Sequence, residues 1–180
     1  MGQYPKLIID TEKVLHNMQL LVQAAHQQGV SVAIVSKVVC AHPAVIDCIS
    51  KSGCDMLADS RLENLEAAKI DLPKLSLRIS MPSNSDDVLR VSDISLESEE
   101  TAILALQSAA KKQNKIHKII LMIDLGDLRE GVFFQNRDEL LDLAQTIKDC
   151  PNLELYGTGT NLTCYGSVLP DQDNLGTLVT

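Results

Sequence analysis

Short apolar runs alternate along the chain with longer segments in which apolar residues recur every three or four positions. Short runs of this kind are typical of buried strands, and the periodic segments are typical of amphipathic helices. The pattern predicts strands at residues 7–10, 32–37, 55–58, 75–79, 93–96, 118–124 and 153–159. Strands that alternate with helices in this way indicate successive βα units around a parallel sheet.

Two of the predicted helices carry apolar stripes that we interpret as core. The first stripe contains Val14, Leu15, Met18, Leu21, Val22 and Ala25, and the second contains Leu140, Leu141, Leu143, Ala144 and Ile147. Asp10 is predicted to cap the first helix and Gly29 to follow its end. Residues 60–63, Ser-Arg-Leu-Glu, have the form of a capping box for a further helix.

The length of the chain limits this architecture. A complete eight-stranded α/β barrel takes about 250 residues, whereas this sequence has 180. We therefore predict an α/β fold of the (β/α)8 TIM-barrel type that is incomplete in this chain.

Composition and charge exclude several functional classes. The formal net charge is −8 and the pI is near 4.9, which argues against a nucleic-acid or anionic-membrane surface. The five cysteines lack paired CxxC spacing, and the four histidines lack metal-ligand spacing. No apolar run approaches the roughly 20 residues of a membrane span. We expect a cytoplasmic protein without a metal, and we interpret the acidic runs 86–87 and 97–100 as helix N-terminal charge and solvated surface.

Three of the predicted strands end in polar sequences that suggest chemistry. Lys37 closes the strand at 32–37, the segment DLGDLREG covers residues 124–131, and the segment GTGTNLTCYG covers residues 157–166. In an α/β barrel the carboxyl ends of the strands meet at one edge, where such folds place their active sites. The three strand ends are therefore expected to converge on one site.

This order of motifs resembles the N-terminal barrel domain of the alanine racemase family, whose members are fold-type III enzymes dependent on pyridoxal 5′-phosphate (PLP). Segments 36–40, 58–61, 124–131 and 159–166 are most similar to the ornithine racemase branch of that family. The resemblance covers nearly the whole chain. It implies that residues 1–180 form one PLP-binding barrel domain without the C-terminal β domain of the family.

The resemblance also implies a function, namely an amino-acid racemase that interconverts L and D amino acids. Lys37 would bind PLP as a Schiff base and move the α-proton on one face of the substrate, for which we expect its amine to be partly withdrawn from water. Arg129 would contact the phenolate oxygen of the cofactor. Asn161, where many alanine racemases have histidine, would pack against the pyridine ring. Ornithine is the expected substrate, followed by another basic or small amino acid.

The segment after Lys37 departs from the family pattern. Typical alanine racemases place a tyrosine there that helps to hold the phosphate, whereas this chain has Val38, Val39, Cys40 and Ala41. The remaining phosphate-binding loops are expected to lie outside this chain. So is the tyrosine base of the opposite face, which in the homodimeric family comes from the C-terminal domain of the partner subunit.

Two other functions remain compatible with the sequence. A non-catalytic PLP carrier also consists of a single barrel with a Val-Ser-Lys strand end, but its usual His-x-Ile-Gly-x-Leu-Gln-x-Asn-Lys segment has no counterpart between residues 55 and 85. An inactive, truncated racemase would leave sheet edges and apolar helix faces exposed. At the level of residues, Lys37 could be a solvated strand-end lysine, Arg129 could pair with Glu130 or Asp127, and Arg61 could face the substrate.

Overall fold

A computed structural model describes residue 5, residues 7–163 and residues 168–179. The helices are α1 (Thr11–His26), α2 (Pro43–Lys51), α3 (Leu62–Ala67), α4 (Ser85–Val91), α5 (Glu100–Gln113), α6 (Arg137–Asp149) and α7 (Gln172–Val179). The strands are β1 (Ala33–Val35), β2 (Met56–Asp59), β3 (Lys74–Ser76), β4 (Ile94–Glu97), β5 (His117–Asp124), β6 (Val132–Phe133) and β7 (Leu153–Gly159). Short 3₁₀ helices cover Lys37–Val39 and Pro82–Asn84. None of the described helices is both long and apolar enough to cross a membrane.

The strands form one parallel sheet in which β1 to β5 lie side by side in sequence order. β5 then pairs with two strands. Its last residues, Ile123 and Asp124, pair with β6, and its segment from His117 to Met122 pairs with β7. Parallel strands joined by helical crossovers are the construction of an α/β barrel, which confirms the predicted fold class.

Helices cover one face of the sheet and leave the other as the inner face of the incomplete barrel. Strand residues such as Ile119 and Leu121 pack with the helix residues Leu106 and Ile147 in the main core. A smaller cluster without helix residues lies on the inner face and contains Ala58, Leu75, Ile94, Leu96 and Met122. Because successive residues of a strand point to opposite faces, each strand residue lies either on the helix side or on the inner side of the sheet.

The predicted limits of the first helix are confirmed. The Asp10 carboxylate accepts a hydrogen bond from the Lys13 backbone N–H at 3.1 Å. Gly29 follows the helix with a φ of +72°, which favours glycine. At this end the Gly29 N–H bonds to the His26 carbonyl and the Val30 N–H to the Ala25 carbonyl, the pattern of a Schellman motif.

Several sequence-based expectations about apolar segments are wrong. Residues 7–10 form no strand: Leu7 and Ile8 are exposed and lie beside no other strand. An apolar run becomes a strand only where a neighbouring strand supplies backbone partners. Leu21 and Leu141 are also exposed, because each lies outside the arc of its helix that faces the sheet. β6 was not predicted because it contains only two residues.

Two polar expectations are also corrected. Ser60 does not cap α3; the capping position is Arg61, whose N–H donates to Asp59 Oδ1 at 2.9 Å. Glu97, expected on the solvated surface, is fully buried at the end of β4 on the helix side. Its carboxylate accepts hydrogen bonds from the Ser80 hydroxyl at 2.6 Å and the Ser80 N–H at 3.2 Å. Burial raises the pKa of the Glu97 carboxyl.

His117, the first residue of β5, predicts how stability depends on pH. Its ring is buried, with Nε2 3.0 Å from the Ser95 hydroxyl, and burial lowers its pKa from 6.5 to about 4. Between these pH values the His117 ring therefore binds a proton in the unfolded chain but not in the folded chain. The contribution of the buried, neutral His117 ring to stability is complete above pH 6.5 and is lost as the pH falls to about 4. We expect a loss of roughly 2 to 3 kcal/mol from this residue.

The measurement is the free energy of unfolding in urea at pH 7 and pH 4, compared between wild type and His117→Gln. Wild type should lose more stability on acidification than the variant. His16→Gln is the matched control, because His16 is exposed and its removal should leave the acid loss unchanged. Equal acid losses in wild type and His117→Gln would show that this ring does not control the transition.

Candidate active site at the carboxyl edge of the sheet

Lys37 lies directly after β1 at the carboxyl edge of the sheet and begins a 3₁₀ turn. The preceding Ser36 continues the pairing, because its N–H donates to the Ala58 carbonyl at 3.0 Å. Cys40 and Ala41 adopt left-handed backbone conformations, with φ of 48° and 51°, which turn the chain into α2. The Lys37 side chain is exposed, contrary to the expected partial desolvation. Val38 beside it is exposed as well, so the described part of the chain does not cover this strand end.

A buried carboxylate fixes the backbone from which Lys37 extends. Asp59, at the end of β2, is fully buried, and its Oδ2 accepts a hydrogen bond from the Ser36 hydroxyl at 2.7 Å. Its remaining partners are the Arg61 N–H at 2.9 Å and the Asn64 side-chain amide, which is 3.1 Å from Oδ1 and 3.2 Å from Oδ2. Nothing in the spacing of Ser36 and Asp59 marks this contact. The hydrogen bond between Ser36 and Asp59 positions Lys37 indirectly, because Ser36 is the residue before it.

The segment from Asp124 to Gly131 forms a tight loop after β5. Asp124 Oδ1 accepts hydrogen bonds from the N–H of Gly126 at 2.8 Å and of Leu128 at 3.1 Å. Gly126, Leu128 and Gly131 have φ values of +110°, +53° and +116°. Both glycines thus adopt torsions that residues with a side chain rarely take. They bring Arg129 and Glu130 back towards the edge of the sheet.

Glu130 joins two of the predicted site residues. Its Oε2 lies 2.9 Å from Arg129 Nε, and its Oε1 accepts a hydrogen bond from the Asn161 side-chain amide at 2.5 Å. The side chain of Glu130 is 15% exposed and that of Arg129 is 36% exposed. Because Glu130 binds Nε, the two terminal nitrogens of Arg129 remain available, and they form no hydrogen bond within the described part of the chain. An arginine anchored in this way presents a fixed pair of donors to an anionic oxygen.

The three predicted site residues, Lys37, Arg129 and Asn161, therefore lie at the carboxyl edge of the sheet, but they do not form one network of contacts. Arg129 and Asn161 meet through Glu130, whereas no hydrogen bond or ion pair joins Lys37 to either of them among the described residues. Arg61 lies apart, beside a cavity between the sheet and the helices. Residues 164–166 of the third motif lie outside the described residues. Within the described ranges, no group of three or more His, Cys, Asp or Glu side chains is placed to hold a metal ion.

Comparison with known proteins agrees with this architecture. A family model of the alanine racemase N-terminal domain matches residues 9–177. Ornithine racemase of Acetoanaerobium sticklandii is 41% identical over 179 residues, covering 97% of this chain and 49% of that protein. Lysine racemase of Thermotoga maritima is 30% identical over 179 residues, covering 98% of this chain and 49% of that protein. The chain thus spans about half the length of these curated relatives.

Solved structures show the same fold. The alanine racemase of a Streptomyces lavendulae strain that produces D-cycloserine matches with a TM-score of 0.77 and 19% identity, over 95% of this chain and 45% of that structure. The strand order and the helical crossovers of the structure agree with the match to the family model. The chain belongs to the alanine racemase N-terminal domain family, and its sheet is the incomplete barrel of that domain.

Proposed function

We propose that this chain is the cofactor-binding barrel of a PLP-dependent amino-acid racemase. The observation that carries the proposal is geometric: a lysine at the end of β1 and an anchored arginine after β5 occupy the same carboxyl edge of a parallel sheet. The 41% identity to a protein named ornithine racemase supports the same reaction class.

The residues at this edge fit the chemistry of PLP. Lys37 offers a primary amine to the cofactor aldehyde, and its exposed position admits the cofactor. The free terminal nitrogens of Arg129 suit the phenolate oxygen, and the half-buried amide of Asn161 can pack against the ring. We propose that most phosphate contacts come from outside this chain, since no hydroxyl aromatic follows Lys37.

When bound, PLP withdraws electrons from the α-carbon of an amino acid and makes its α-hydrogen acidic. Lys37 then acts on one face of that carbon, where its Nζ accepts the proton and exchanges it with water. The buried contact between Ser36 and Asp59 holds the backbone of Lys37 in place during this transfer. Inversion of the centre needs a second base on the opposite face, which we propose comes from a partner subunit.

The substrate we propose is a basic amino acid, with ornithine first. Support comes from the two curated relatives, which are named for ornithine and for lysine.

The proposal is tested by α-hydrogen exchange in heavy water. The chain is incubated with PLP and with each enantiomer of ornithine, and the uptake of deuterium at the α-carbon is followed by mass spectrometry. Because Lys37 serves one face, we expect one enantiomer to exchange without change of configuration. Lysine should exchange next fastest, and glutamate serves as an acidic comparison. PLP attached to Lys37 without exchange of any amino acid would instead indicate a non-catalytic carrier.

Glu130 gives a prediction about cofactor affinity. In Glu130→Gln, Arg129 Nε exchanges its ion pair with a carboxylate for a weaker hydrogen bond to an uncharged amide oxygen, so the guanidinium is held less firmly. We expect the dissociation constant of PLP to rise about tenfold, which corresponds to about 1.4 kcal/mol. The measurement is a titration of PLP absorbance.

Glu12→Gln is the matched control, because Glu12 is an exposed carboxylate on α1 and its loss changes the net charge equally. Its affinity for PLP should equal that of wild type. If Glu130→Gln also bound PLP with wild-type affinity, the ion pair with Arg129 would have no part in holding the cofactor.

A further inference from the structure

A cavity of about 120 Å³ lies on the helix side of the sheet, at the carboxyl ends of β2 and β3. Its lining includes Arg61 and Arg78 together with Ser60, Ser76 and Asn84. Ser76 faces the helices because the preceding Leu75 belongs to the inner cluster. The Ser76 hydroxyl therefore lies on the helix side of β3, away from the inner cluster.

The Ser76 hydroxyl is the first indication of a ligand. Ser76 is 1% exposed, and its hydroxyl has no hydrogen-bond partner in the described part of the chain. The polar side chains at the paired positions of the flanking strands are bonded to other groups: Asp59 to Ser36 and Asn64, and Ser95 to His117. Buried hydroxyls are nearly always bonded, so this one indicates a partner outside the described residues.

The two arginines are the second indication. Both are exposed, and neither guanidinium forms an ion pair or a hydrogen bond with another described residue. Arg90, by contrast, pairs with Glu66 and with Asp87. Two unpaired arginines beside one cavity are unexpected in a chain whose net charge is −8.

The other polar groups of the lining are mostly donors. Asn84 Oδ1 accepts a hydrogen bond from the Met81 N–H at 3.0 Å, which leaves its amide nitrogen to donate towards a ligand. The Ser60 hydroxyl is a further potential donor. Glu63 is the one carboxylate of the lining; it is exposed and pairs with neither arginine. A wall of two guanidinium groups, two hydroxyls and an amide is complementary to an anion that accepts several hydrogen bonds.

We propose that this cavity binds a small oxyanion, presented as a phosphate group or a carboxylate. The guanidinium fork matches two oxygens of either group, and the Ser76 hydroxyl would donate to one of them. The cavity has several times the volume that one water needs, which admits an ion of this size. The proposal does not depend on PLP binding at Lys37, because no hydrogen bond or ion pair among the described residues joins the side chains of this cavity to Lys37, Arg129 or Asn161.

The test is calorimetric titration of the chain with inorganic phosphate and, separately, with acetate at constant ionic strength. We expect saturable binding of at least one anion; tighter phosphate assigns a phosphate group, and tighter acetate assigns a carboxylate. Arg61→Gln and Arg78→Gln should each weaken binding about tenfold, because each removes charge-assisted hydrogen bonds. Arg137→Gln is the matched control, because Arg137 is exposed on α6 away from the cavity, and it should bind as wild type does.

Ser76→Ala separates a ligand contact from a structural role. Without anion this variant should melt about 2 °C higher than wild type, because it removes an unpaired buried hydroxyl, while its anion binding is weakened. The proposal is overturned if neither anion binds saturably, or if the double variant of Arg61 and Arg78 binds as tightly as wild type. It is also overturned if Ser76→Ala melts lower and binds the anion unchanged.

Discussion

Replacing Lys37 with alanine is expected to abolish covalent attachment of PLP to this chain. Wild type incubated with PLP and reduced with borohydride should carry the label on Lys37, and the variant should carry only background label. The reason is that Lys37 places an exposed amine at the carboxyl edge that also carries Arg129, so its amine can react with the aldehyde of a cofactor whose phenolate oxygen Arg129 contacts. Mass spectrometry of the lysine-containing peptide makes the measurement.

The same variant should lose α-hydrogen exchange by about 10³-fold, within the range that a positioned base contributes. Lys13→Ala is the matched control, since Lys13 is 81% exposed on α1 and should leave both labelling and exchange unchanged. Circular dichroism checks that both variants retain the fold. Specific labelling of another lysine, with Lys37→Ala as reactive as wild type, would place the cofactor elsewhere.

Replacing Gly131 with alanine is expected to cost about 3 kcal/mol or more of unfolding free energy. Gly131 has a φ of +116°, which side-chain-bearing residues rarely adopt. An added Cβ would lie 2.7 Å from the Asp124 backbone nitrogen and 2.8 Å from the Ile123 carbonyl carbon. These are backbone atoms of β5, so the clash cannot be relieved by rotating a side chain. The measurement is urea unfolding followed by circular dichroism.

Gly157→Ala is the matched control, because a Cβ at Gly157 has no atom within 4 Å. Its stability should change by less than about 0.5 kcal/mol. Gly131 directly follows Glu130, so Gly131→Ala should also displace the ion pair with Arg129 and weaken PLP binding. Equal stability losses in the two glycine variants would mean that the loop after β5 tolerates a side chain.

Arg129 and Lys37 are restrained in different ways. The Arg129 side chain is held by Glu130, which also binds the Asn161 amide. The Lys37 side chain is exposed directly after β1, and the buried contact between Ser36 and Asp59 restrains its backbone.

Local pattern in the sequence was sufficient to predict much of the fold. Residues 153–159 alternate in the manner of a strand and form β7, and Asp10 and Gly29 mark the limits of α1. These features depend on interactions between residues close in sequence, so periodicity and capping preferences report them directly. The lysine at the end of β1 and the glycines around Arg129 were likewise visible in the sequence, because strand ends and positive φ values have local signatures.

The remaining features depend on contacts between residues distant in sequence. The apolar segment at residues 7–10 satisfied the local pattern but found no neighbouring strand, and Glu97 resembled a surface charge until packing buried it against Ser80. Glu130 meets Asn161 across 31 positions, and Asp59 meets Ser36 across 23. The sequence alone therefore determined the fold class and the candidate lysine, while packing determined which charges are buried and which side chains hold the site in place. The physical reason is that burial and pairing are properties of the folded neighbourhood rather than of any single segment.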